Sequence, residues 1–153
     1  MNAHRFTDWV ALTIACGGGS GKLSPAPGTW GSLAAFLLLA YWRPSDQALA
    51  GVLVLSIPLF YWAVNRTVQR LSVSDPGWVV ADEWQGLALG WLLLPEQATW
   101  VSWLLLFGLF RLLDATKPGP IGAVDRYLPD SWGIFVDDWL AGMLAGILVV
   151  LVI

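Results

Sequence analysis

Metal-binding and redox-active side chains are scarce in this sequence. Its 153 residues include one cysteine, Cys16, and one histidine, His4. A single cysteine excludes an intramolecular disulfide and a cysteine-rich metal site. Mechanisms that need two histidines are excluded for the same reason, so any bound metal ion must be held mainly by oxygen ligands.

Charge is also scarce, at 12% of residues, whereas apolar residues make up 57%. A soluble domain typically has about 25% charged and roughly 45–50% apolar residues. This chain cannot cover its surface with charge, and a lipid bilayer is the simplest apolar cover. The eleven tryptophans agree, because indole rings collect at the headgroup level of membranes. The net charge of −3 offers no basic surface for nucleic acid, so no such partner is expected.

The sequence has no run of alternating apolar and polar residues, the pattern typical of a half-buried strand. It has five apolar runs instead, which are Trp30–Trp42, Leu49–Val64, Leu87–Leu94, Thr99–Phe110 and Trp139–Ile153. A membrane-spanning helix needs about 20 apolar residues, so most of these runs must tilt or include polar ends. We predict one all-α domain over residues 1–153, a compact membrane bundle of about five short or tilted apolar helices. No signal peptide is recognised, and a soluble bundle is the alternative.

The charged residues fall mainly on one side of these five predicted helices. If the chain alternates sides, the segments 1–29, 65–77 and 111–138 share one face and carry seven of the eight basic residues. The positive-inside rule makes this face cytoplasmic. With Asp82 and Glu83 just inside the same interface, it also holds nine of the eleven acids. The polar chemistry is therefore predicted at the cytoplasmic face, in loops and helix ends.

Two acidic pairs, Asp82–Glu83 and Asp137–Asp138, occur in similar sequence contexts. Each pair follows three or four apolar residues and precedes a tryptophan and two glycines four residues apart, which are Gly86, Gly90, Gly142 and Gly146. Small residues at this spacing form a stripe along a helix and let two helices approach closely in lipid. We therefore expect the two acidic pairs to lie near each other.

A fifth acid, Asp114, lies between Arg111 and Lys117 at the polar end of an apolar run. Carboxylates at membrane depth are costly and usually functional, and neighbouring carboxylates raise one another's pKa unless a cation neutralises them. An all-oxygen ligand set suits Mg²⁺. The candidate metal ligands are Asp82, Glu83, Asp114, Asp137 and Asp138. The alternative is that these acids form structural salt bridges with nearby basic residues.

The glycine-rich segment from Cys16 to Lys22 is similar to a phosphate-binding loop but lacks its defining residues. A Walker A loop has glycine first and serine or threonine after the lysine, where this chain has Cys16 and Leu23. Weak anion binding near Lys22 and a plain flexible loop are both compatible with the segment.

Four motifs in order along the chain resemble those of the phosphatidylglycerophosphatase A family. They are GSGKLSPAPGTWGSLAA at 19–35, DPGWVVADEWQG at 75–86, FRLLDATKPGPI at 110–121 and WGIFVDDWLAG at 132–142. The resemblance implies a Mg²⁺-dependent, all-α enzyme of the bacterial inner membrane whose active site faces the cytoplasm. Its lipid substrate would be phosphatidylglycerophosphate, hydrolysed at the terminal phosphate to phosphatidylglycerol. Neither the motifs nor the composition indicates an oligomeric state.

Given that function, the candidate catalytic residues are Asp82, Glu83, Asp114 and Asp138, with Glu83 or Asp138 as general base. The substrate phosphates would be bound by a set of cationic and hydroxyl side chains, which are Lys22, Thr29, Arg111, Lys117 and Arg126. Ser32 is expected to cap a helix that begins near it, in preference to binding phosphate.

Two other functions compete with this interpretation. A small ion-transport or channel subunit would place acids along the membrane depth, yet the stretches 48–64 and 140–153 contain none. A CDP-alcohol phosphotransferase would need aspartates four residues apart. At that spacing Asp82 and Asp138 are followed only by Gly86 and Gly142.

Overall fold

The computed structural model describes residues 3–73, 76–128 and 130–153, and these residues form helices and connections without any strand. The all-α prediction is therefore confirmed. Seven α-helices and one 3-10 helix (Gly17–Lys22) occur in the described chain. The α-helices are α1 (Ala3–Ala15), α2 (Pro27–Trp42), α3 (Asp46–Leu71), α4 (Ala81–Leu92), α5 (Trp100–Thr116), α6 (Pro120–Tyr127) and α7 (Asp130–Val152).

All five apolar runs lie largely within helices, namely α2, α3, α4, α5 and α7. Helices α1, of 13 residues, and α6, of 8 residues, are additional to the five that the apolar runs predict. Pro120 begins α6, where its missing N–H costs nothing because the first turn has no intrahelical acceptor.

Helix α4 lies at the centre of the bundle and packs against α2, α3, α5 and α7. Its Leu87 is fully buried together with Leu106, Phe110 and Ala141 from the surrounding helices. Because α4 is short and covered on most sides, the acids in its first turn are held at one end of the packed core.

The contact between α4 and α7 is made backbone to backbone through the predicted glycine stripes. A Cβ added at Gly142 would lie 1.8 Å from the carbonyl oxygen of Gly86, and one added at Gly86 would lie 2.5 Å from that of Asp138. Only glycine permits this approach. The spacing of the small residues therefore indicated the helix pair correctly.

Two of the described helices are long and apolar enough to cross a membrane, by length and composition: Asp46–Leu71 and Trp132–Val152. Many apolar side chains of α3 face outward, among them Val54 and Leu55. Helices α2, α4 and α5 have 16, 12 and 17 residues, fewer than the roughly 20 of a typical span.

Candidate active site

The five candidate acids meet at one end of the bundle. Asp82 and Glu83 lie in the first turn of α4, where the positive end of the helix dipole favours negative charge. Asp137 and Asp138 lie in α7, and Asp114 lies near the end of α5. All five line one cavity of about 140 Å³, together with Lys117. Three helices thus bring their carboxyl groups to a single site.

Two basic side chains contact three of these acids. The Lys117 ammonium lies 2.6 Å from Asp137 Oδ2. Arg111 Nη1 lies 3.3 Å from Glu83 Oε1 and also forms an ion pair with Asp114. Four of the five acids, all except Asp114, are less than 9% exposed, and buried charge needs this kind of compensation. The salt-bridge interpretation therefore applies to part of the cluster, since in the described part of the chain Arg111 and Lys117 form ion pairs with Glu83, Asp114 and Asp137.

Ser32 connects helix α2 to this cluster. Its hydroxyl oxygen lies 2.8 Å from Glu83 Oε2 and 2.8 Å from the Gly28 carbonyl oxygen, so it can donate its single proton to either. It also accepts a hydrogen bond from Arg111 Nη1 at 3.3 Å. The capping prediction for Ser32 is wrong, because α2 begins at Pro27, whose fixed φ suits the first helical position. Ser32 therefore lies inside the helix.

Glu83 has an environment suited to proton transfer. Its carboxyl group is buried and lines the acid cavity, with the Ser32 hydroxyl 2.8 Å from Oε2 and Arg111 Nη1 3.3 Å from Oε1. A carboxyl group held in this way beside a substrate cavity is placed to accept or give a proton, as a general acid or base must.

Asp138 is surrounded by other acids. Its charged neighbours are Asp82, Asp114 and Asp137, and Asp82 is the strongest of the three. Its backbone N–H donates to Asp137 Oδ1 at 3.0 Å. The approach of α4 to α7 at Gly86 and Gly142 brings Asp82 and Asp138 together, and their mutual repulsion favours a bound cation.

The chemistry of the donor set fits a hard divalent cation, since carboxylates are the candidate ligands that line the cavity. Within the described ranges, no three acidic, cysteine or histidine side chains are arranged as a ready-made metal site. Mg²⁺ does not need one, because it usually keeps several waters and is held by one or two carboxylates plus substrate phosphates. The residues present therefore fit Mg²⁺ bound together with a phosphorylated substrate.

The other predicted phosphate-binding residues lie apart from this cavity. Lys22 is exposed at the end of the 3-10 helix and lines a separate surface cavity with Trp78. Arg126 is exposed in the last turn of α6. Thr29 is exposed in the first turn of α2, next to Gly28, where an added Cβ would lie 2.3 Å from Glu83 Oε1. Of the predicted phosphate-binding residues, Arg111 and Lys117 thus contact the acids, and Thr29 lies beside the cluster through its neighbour Gly28.

The sequence did not indicate a buried polar network that lies beside the site. Gln85, which is 2% exposed, donates from Nε2 to the Ser56 hydroxyl at 3.1 Å. Its Oε1 accepts from the Trp139 indole N–H at 3.2 Å. These bonds tie α4 to α3 and α7 immediately beyond the two acidic pairs. The tryptophan that follows Asp138 was visible as a repeated feature, but its partner could not be identified from sequence.

The chain is similar to known proteins over most of its length. Residues 13–153 match the family described as phosphatidylglycerophosphatase A. A phosphatidylglycerophosphatase A of Haemophilus influenzae is 36% identical over 145 residues, covering 89% of this chain and 84% of the relative. A phosphatidylglycerophosphatase A of Escherichia coli is 38% identical over 139 residues, covering 88% and 79%. No solved structure matches the chain.

Proposed function

The chain belongs to the phosphatidylglycerophosphatase A family, and from that premise we propose that its acid-lined cavity is where the phosphate is removed. The protein is a phosphatase of phospholipid synthesis that converts phosphatidylglycerophosphate to phosphatidylglycerol and inorganic phosphate. The observation that supports this location is the meeting of five carboxyl groups and Lys117 at one cavity, with Arg111 paired to two of these acids. Clustering of the acids at one end of the bundle also disfavours an ion path.

We propose that the reaction requires Mg²⁺ and that Asp82 and Asp138 are its main protein ligands. These two acids repel each other across the glycine contact of α4 and α7, so a divalent cation stabilises their ionised forms. Asp137, Asp114 and Glu83 complete the oxygen-rich lining. When bound, Mg²⁺ supplies charge neutralisation at the phosphoryl oxygens and makes the attacking water more acidic.

The side chains of this chain perform the remaining tasks. Arg111 can bind phosphate oxygens in bidentate fashion, and Lys117 adds a positive charge beside Asp137. Glu83 accepts the proton of the attacking water at a carboxylate oxygen, since its carboxyl group lines the cavity. Ser32 and Arg111 orient the Glu83 carboxyl group from two directions.

The bacterial relatives and the two apolar helices indicate a membrane-associated protein. We propose a compact multi-pass arrangement in the bacterial inner membrane, in which the shorter helices α2, α4 and α5 tilt or cross a locally thinned bilayer. The cavity would face the cytoplasm, because the basic residues Arg111 and Lys117 lie at the same end as the acids.

The test is phosphate release from phosphatidylglycerophosphate in detergent micelles. We expect Asp82→Asn and Asp138→Asn each to lower kcat/KM by about 100-fold or more, and EDTA to abolish activity until Mg²⁺ is restored. Glu96→Gln is the matched control, because Glu96 is an exposed acid outside the cavity, and it should leave kcat/KM unchanged. Full activity of both aspartate variants in folded protein, or activity indifferent to EDTA, would contradict the proposal.

A further inference from the structure

An apolar groove runs along the outside of α4, between α2 and α3. Both α2 and α3 pack against α4, but they make little contact with each other. The space between them is lined mainly by apolar side chains, including Ala35, Leu39, Val52, Phe60, Trp84 and Ala88. The polar side chains in the lining, Ser56 and Gln85, hydrogen-bond to each other, which makes the wall compatible with a hydrocarbon ligand.

The groove begins beside the acid cavity and leads away from it. Trp84 follows Glu83 directly, and Ala35 lies one helical turn after Ser32, which contacts Glu83. From there the lining continues to Ala88 on α4 and to Trp42 on α2.

Helix α3 runs in the opposite direction, and its contribution to the lining continues from Phe60 back to Leu49. At 1.5 Å per residue, that wall is about 16 Å long. The groove therefore leads from the end of the bundle that carries the acids toward the opposite end, where α2 ends and α3 begins.

We propose that this groove binds one acyl chain of the phospholipid substrate while its terminal phosphate lies in the acid cavity. The inference rests on the proposed function, which supplies a ligand with a phosphate at one end and hydrocarbon chains at the other. Its volume of about 90 Å³ is far below the several hundred Å³ of a pocket that encloses a whole small molecule. It therefore fits a segment of one chain, which can enter sideways because Leu38 and Val52 on the rim are about half exposed.

The variant Val52→Trp tests this assignment by filling the groove from its rim. Val54→Trp is the matched control, because Val54 lies on the same helix, is 66% exposed and does not line the groove. Each variant is assayed on long-chain phosphatidylglycerophosphate and on its deacylated, water-soluble headgroup. We expect Val52→Trp to lower kcat/KM about tenfold on the long-chain lipid, equivalent to about 1.4 kcal/mol, and to leave the deacylated compound unaffected. Val54→Trp should change neither.

Equal activities of the two variants on the long-chain lipid would overturn the proposal, as would an equal loss on both substrates by Val52→Trp.

A second measurement separates this proposal from the proposed function. Phosphatidylglycerol with a photoreactive group on one acyl chain is cross-linked to the wild-type protein in lipid nanodiscs, and the adducts are mapped by mass spectrometry. Adducts concentrated at Leu38 and Val52, and lost in Val52→Trp, support the groove even if no substrate is hydrolysed. Adducts spread equally over exposed residues such as Leu55, or protein dimers joined through this face, overturn it.

Discussion

The glycine contact between α4 and α7 makes a strong prediction for Gly142→Ala. The added Cβ would lie 1.8 Å from the Gly86 carbonyl oxygen and 2.6 Å from its carbon, whereas ordinary contact begins at 3.4 Å. Because the obstructing atoms are backbone, the two helices must separate locally by about 1.6 Å. Overpacking of this kind typically costs about 1–3 kcal/mol.

The same separation should reach the site, since Gly142 lies one turn from Asp138 and Gly86 lies one turn from Asp82. A displacement of about 1 Å in reacting groups can lower a rate about 100-fold. We therefore expect Gly142→Ala to lose about 1–3 kcal/mol of stability and about 100-fold in kcat/KM. The assays are unfolding in detergent and phosphate release from phosphatidylglycerophosphate.

Gly108→Ala is the matched control. Gly108 lies inside α5, and a Cβ there meets no atom within 4 Å, so alanine should raise stability by up to about 1 kcal/mol and leave activity unchanged. Gly146→Ala extends the test if Gly142→Ala does not fold. Its Cβ would lie 2.7 Å from the Gly90 carbonyl oxygen, one turn farther from the acids, so stability should fall while activity falls less. Parental stability and activity in Gly142→Ala would refute the close backbone packing and its link to the site.

Two further predictions concern Glu83. Glu83→Gln keeps the size of the side chain but removes its capacity to accept a proton, so kcat/KM for phosphatidylglycerophosphate should fall by about 100-fold or more. Parental activity in folded Glu83→Gln would contradict its role as the base. Ser32→Ala removes the hydroxyl group that lies 2.8 Å from Glu83 Oε2, so kcat/KM should fall by about tenfold. Ser102→Ala, at another buried serine outside the cavity, should leave kcat/KM unchanged, and an equal loss in both variants would show that the loss does not come from Glu83.

Several features of the fold followed from local sequence pattern. Apolar runs without alternation indicated helices, and glycines four residues apart indicated which faces of α4 and α7 meet. Both signals are local, because helical periodicity alone decides which side chains share a face. Helices α1 and α6 contain none of the five apolar runs and were not predicted.

The sequence alone determined that this protein is helical, rich in apolar surface and supplied with oxygen ligands in two glycine-flanked acidic pairs. Only the tertiary structure decided that Arg111 and Lys117 reach those acids, that Lys22 and Arg126 lie elsewhere, and that Ser32 contacts Glu83. Ser32 and Glu83 are 51 residues apart, and no spacing rule connects residues on different helices. Their contact depends on how α2 and α4 pack, which is set by the shape of the whole core and not by either segment.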